Sequence, residues 1–128
     1  SQDAVVRGTV WAGAGSALYH AGLLRKLLPG SLPYDPFYWE DVDLGLRAWQ
    51  RGYESLYCPA SRALHLHRVT VNRYFAPDEV RRIFERNRLQ LQLCHPFPLQ
   101  PLAALLARLR ALDGATLREL GRWRALRT

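Results

Sequence analysis

The sequence predicts an α/β domain, and three observations lead there. Short runs of branched and aromatic residues near the N-terminus and around residues 53–68 have strand character. Two longer segments repeat apolar residues at helical spacing, and clusters of proline and glycine separate the segments. With 128 residues, 48% of them apolar and 23% charged, the chain has the composition of one folded domain rather than a disordered segment. Its length allows a modest core.

Taken in order, VVRGTVWAGAGSALY (residues 5–19) reads as a strand entering a Gly/Ala loop, and YHAGLLRKLL starts a short helix. PGSLPYDPF, with Pro29, Pro33 and Pro36, is loop. From Asp41 the pattern turns helical through Val42, Leu46 and Trp49, and Gly52 is its stop signal. YESLYCP is strand-like and ends at Pro59, and RALHLHR alternates with period two, which predicts another strand. Pro77, Asp78 and Glu79 open a long helix, where proline and acids are favoured, and Val80, Ile83, Phe84, Leu91 and Cys94 give it an apolar face. HPFPLQP breaks it. A further helix is expected over 99–112, and Thr116 with Glu119 forms a capping-box pattern for a last one. The organisation is mixed first and all-helical after residue 76.

The net charge of +7 is uneven: residues 99–128 carry six arginines against two acids. Such an end suits an anionic surface, nucleic acid or lipid headgroups, and equally the solvated face of two helices. Cys58 and Cys94 lack paired spacing, which argues against a disulfide framework or a four-thiol zinc site and fits a reducing compartment. No apolar run approaches a membrane span, and the N-terminus lacks a signal-peptide layout. A cytoplasmic location is expected. The polar lead running straight into a strand is expected of a segment cut from a longer protein.

The stretch FYWEDVDLGLRAW (37–49) sets Glu40, Asp41 and Asp43 beside three aromatics in an otherwise basic chain. A metal pair from Asp41 and Asp43 is disfavoured, because helical positions two apart diverge by roughly 200°. Helix capping accounts for Asp43, which can also pair with Arg47 at i,i+4. A general base at a pocket rim accounts for two adjacent acids crowded by Tyr38 and Trp39, whose rings offer a flat platform for a sugar. Residue chemistry alone leaves these last two readings open.

The order of motifs, AGAGSALYHAGLL, PFYWEDVDLGLRAWQRGY, LYCPASRALHLHRVT and ERNRLQLQLCHP, resembles the C-terminal, acceptor-side half of bacterial family 2 glycosyltransferases. The resemblance covers about residues 8–98. It implies a partial GT-A-like mixed sheet with flanking helices, followed by a helical C-terminal tail: residues 1–75 as the acceptor-side half of the catalytic domain, 76–128 as a helical extension. It also implies transfer of a sugar from a nucleotide-sugar donor to a polysaccharide or lipid-linked acceptor. Asp41 matches the catalytic base of the inverting members, and Glu40 matches its partner. Gly13, Ala14, Gly15 and Ser16 match a segment lining the acceptor, with Tyr38 and Trp39 nearby. Leu18 stands where a dinucleotide fingerprint needs its third glycine, so that reading is not expected.

His65 matches a position that reaches the metal or diphosphate in the family. On a strand, His67 would face the same side, so both could ligate, the other reading being paired surface histidines that bind nothing; Arg68, next to them, either contacts a phosphate or is solvated. A divalent ion, Mn²⁺ or Mg²⁺, is expected in the intact enzyme. The chain lacks the nucleotide-binding half and its Asp-any-Asp metal motif, so it is expected to be inactive alone and, with unpaired strand edges, to self-associate. The tail arginines suit peripheral attachment to the inner face of an anionic membrane beside a lipid-linked acceptor. The rival from another class is a basic binding module for nucleic acid or anionic membrane without catalysis, which requires arginines gathered on one helix face and a steep salt dependence.

Overall fold

The computed structural model describes residues 5–28, 33–66 and 69–95, together with isolated positions between 104 and 118. It combines helices with a small sheet. β1 (Arg7–Thr9) pairs antiparallel with β2 (Ser55–Tyr57), Gly8 lying opposite Leu56. Among the described stretches up to residue 95, the pair is accompanied by α1 (Ala21–Leu27), α2 (Glu40–Trp49), α3 (Val69–Tyr74) and α4 (Pro77–Cys94).

α1 starts where His20 Nδ1 accepts from the Leu23 amide at 3.2 Å, replacing one of the helix's missing acceptors. Its leucines meet α2, and Leu27, Leu44 and Ala48 form a buried cluster flanked by Leu23, Leu24 and Leu28. α2 also lies hard against the strand that leaves β1. A methyl group on Gly45 would sit 2.5 Å from the Val10 carbonyl oxygen and 2.7 Å from Trp11 Cβ, so no larger residue fits without movement. Trp49 Nε1 donates to the Thr9 carbonyl at 3.1 Å, fixing the same contact one turn further on. Gly52, at φ 78°, then turns the chain out of α2.

α4 has the proline and acids expected in its first turn and buries Ile83, Leu89 and Leu91, but the same helix also buries Asn87 and Gln90. Of these polar groups, Asn87 faces the loop before α2. Asn87, with no exposed surface, donates to the carbonyls of Tyr34 and Phe37 at 2.8 Å and of Tyr38 at 3.2 Å. The expected division at residue 76 is therefore not a packing boundary: α4 shares its interior with residues 34–43.

Two further expectations change. Residues 61–66 form no strand, although their sequence alternates. Leu64 and Leu66 are 91% and 69% exposed, so the alternation has no buried face to serve. In place of a longer strand, the chain enters α3, a six-residue helix with no buried side chain. The expected helix over 99–112 and the capping pattern at Thr116 lie largely outside the described residues.

Candidate acid site and its supports

Glu40 and Asp41 are the first two residues of α2, where unpaired amides favour negative charge. Asp41 Oδ1 accepts from the Val42 amide at 2.8 Å. Its other oxygen faces the Gly/Ala loop: a methyl group on Gly13 would stand 4.0 Å from Oδ2. That loop is a single exposed 3-10 turn, Ala14–Ser16, closed by the Ser16 amide donating to the Gly13 carbonyl at 3.0 Å. On its far side a methyl group on Gly15 would sit 3.2 Å from the His65 imidazole, so a small residue is what lets histidine and loop approach. Three sequence-distant pieces, 13–16, 40–41 and 65, thus come together.

Tyr19 joins them without a sequence signal of its own. Its hydroxyl donates to the Ala12 carbonyl at 2.8 Å. Partial burial, then the charges of Asp41 and Glu40, raise its phenol above the ordinary 10.0. Glu40 is raised above 4.5, first by burial and then by the charge of Asp41, against the lowering effect of a backbone hydrogen bond. One Glu40 oxygen, Oε2, is inaccessible and lacks a hydrogen-bond partner among the described residues. Behind the loop lies a cleft of about 960 Å³, lined by Trp11, Tyr19, His20, Leu24 and Leu44 on one side and Arg62 on the other.

Asp43 has a different task. Fully buried, it pairs with Arg47 Nε at 2.7 Å, the expected i,i+4 contact, and with His95 Nε2 at 2.5 Å. Gln50 Nε2 lies 3.1 Å from His95 Nδ1. Asp43 is thus committed to holding α2 against the end of α4, and Asp41 and Asp43 do not form a metal pair. Among the described residues no group of three or more His, Cys, Asp or Glu is placed to hold a metal ion. His67 and Arg68 lie outside the described residues.

Tyr38 and Trp39 are not a free platform. Both have positive φ, 74° and 78°, which places two bulky residues in the left-handed region just before the helix. Their rings turn toward α4 and meet Phe84 at 5.7 and 5.1 Å between centroids, and Trp39 Nε1 donates to the Phe84 carbonyl at 3.1 Å. Phe37 closes the stack, 4.8 Å from Tyr38 and 4.9 Å from Phe75. These aromatics lock the entry to α2, and the ring that feels the charges of Asp41 and Glu40 is that of Tyr19.

No protein-family model matches the chain, and neither a curated protein nor a solved structure matches it. No helix among the described residues is long and apolar enough to cross a membrane. Most of the tail arginines lie outside the described residues; Arg110 and Arg118 are exposed.

Proposed function

We propose that this chain is the acceptor-side part of a family 2 glycosyltransferase, with Asp41 as general base. The observation that carries the reading is the convergence of Asp41 Oδ2, the Gly13–Ser16 loop and His65 from three separate stretches of sequence. A ring of small exposed backbone beside a carboxylate whose other oxygen is tied to a helix amide suits a sugar hydroxyl arriving at that carboxylate.

In the reaction, the acceptor oxygen forms a bond to the anomeric carbon of the donor sugar as the bond from that carbon to the diphosphate breaks. The nucleoside diphosphate leaves with the bonding electrons, and the acceptor's hydroxyl proton passes to Asp41. A positioned base of this kind supplies about 10²–10⁴-fold. Glu40, raised above the ordinary carboxyl value first by burial and then by the charge of Asp41, stands beside the base as its partner. Tyr19 takes the place at the acceptor that the sequence suggested for Tyr38 and Trp39. Donor nucleotide and divalent ion belong to a part of the enzyme outside this chain, which is inactive alone, self-associates, and sits in the cytoplasm or at the inner face of an anionic membrane.

Calorimetric titration with UDP, GDP and dTDP, each with and without Mn²⁺, tests the division of labour. The expected result is no metal-dependent binding, alongside weak amide shifts confined to Gly13–Ser16, Tyr19 and Asp41 when simple glycosides are added in an NMR titration. Metal-dependent nucleotide binding in the micromolar range would make Asp41 or His65 a ligand and overturn its assignment as base.

A further inference from the structure

The corner that delivers Glu40 and Asp41 to the loop is conformationally costly. Tyr38 and Trp39 are consecutive, bulky and left-handed, and such residues persist only where their surroundings over-determine them. Local sequence offers no relief, since neither is glycine or asparagine. The hold must come from elsewhere in the fold, and one side chain reaches all of the preceding turn.

Asn87 carries two amide hydrogens, and three carbonyl oxygens, those of Tyr34, Phe37 and Tyr38, lie within hydrogen-bond range of its Nδ2. Both hydrogens are used and one is shared. Its Oδ1 accepts from Arg86 Nε at 3.0 Å, and Arg86 also donates to the Asp35 carbonyl. The reversed amide would point oxygen at three carbonyls, so the orientation is unambiguous. An aspartate there would do the same with a full charge, glutamine is one methylene too long for a fully enclosed site, and alanine strands three carbonyls.

We propose that Asn87 is the positioning residue of the acid pair: by tying the carbonyls of Tyr34, Phe37 and Tyr38 it holds the left-handed corner and thereby sets where Glu40 and Asp41 stand against residues 13–16. Calling the pair catalytic rests on the glycosyltransferase reading; the geometric claim does not. Asn87 acts across about fifty residues of sequence and touches neither acid.

Tyr19 provides a reporter: burial first, and then the charges of Asp41 and Glu40, raise its phenol. In the 128-residue chain with ring-labelled tyrosine, the Tyr19 resonance is titrated in the wild type and in Asn87→Ala, Asp41→Asn and Ile83→Ala. Asp41→Asn calibrates the loss of one carboxylate, and Ile83→Ala removes buried volume from α4 one turn before Asn87 while keeping the Asn87 amide. Asn87→Ala is expected to lower the Tyr19 midpoint toward 10.0 by an amount comparable with Asp41→Asn, while Ile83→Ala leaves it in place. Tyr38→Gly, which adopts positive φ without strain, is expected to restore part of that shift in the Asn87→Ala background. An unmoved Tyr19 in folded Asn87→Ala, or an equal movement in Ile83→Ala, overturns the proposal.

Should Asn87→Ala not fold, the wild type still decides. The Asn87 side-chain amide hydrogens are expected to exchange at least a hundredfold more slowly than those of the exposed Asn72, and exchange at the same rate rejects the claim. None of these readouts passes through turnover, so failure of the glycosyltransferase reading would leave them interpretable.

Discussion

The two sides of the acid pair are built differently. On one side, residues 34–50 and α4 share a network of buried polar groups in which Asn87 and Asp43 have no exposed surface. On the other, the β1–β2 ribbon and its flanking segments leave Val5, Val6, Trp11, Leu18, Leu56 and Leu64 largely in water. A pair of three-residue strands is marginal by itself. The acids are therefore presented from a braced helix toward an open surface. The difference teaches that long-range contacts brace the carboxylates from behind, while the surface before them stays exposed.

The comparison breaks most sharply at Asp43. Asp43→Ala leaves Arg47 and His95 buried without their anion and should lower stability by about 3–5 kcal/mol in urea titrations. A loss well under 1 kcal/mol would mean the brace is not what holds α2. Gly45→Ala comes next: overlap with the Val10 carbonyl should cost about 1–3 kcal/mol and disturb the ribbon, read as lost amide protection at Arg7–Thr9. On the open side, Leu56→Ser should change stability by no more than about 0.5 kcal/mol yet reduce self-association in light scattering at high concentration.

Two smaller effects sharpen the picture at the pair itself. The folded state raises Glu40, so it favours the protonated form. The stability this contributes is fully present below the ordinary value of 4.5 and is lost as pH rises through the raised one. Glu40→Gln should therefore melt at a higher temperature than the wild type at pH 7, with the difference closing below 4.5. Tyr38→Phe removes a buried hydroxyl that has no partner among the described residues and should be neutral or stabilising by up to about 1 kcal/mol.

Much of this was legible locally. The bounds of α4 follow from Pro77, Asp78 and the break after Cys94, and the end of α2 follows from Gly52, because caps and breakers act within a few residues. Asp43 with Arg47 was visible as an i,i+4 pair. What sequence could not give were partners far along the chain: His95 for Asp43, and Asn87 for three carbonyls around residue 36. Asn87 carries no local sign of its distant partners, and nothing near Tyr38 and Trp39 announced a left-handed corner. The alternation of residues 62–68 misled for the opposite reason. It is a local pattern that requires a neighbouring strand, and residues 61–66 stand exposed without one.

The proposed role of Asp41, taking a proton from an acceptor hydroxyl, is tested most directly by turnover of Asp41→Asn in a longer protein that carries this segment and shows sugar transfer. The predicted result is a fall of about 10²–10⁴-fold in kcat with donor and acceptor affinity little changed. Turnover at the wild-type rate would remove Asp41 from the chemistry and leave the acids as no more than the start of a helix.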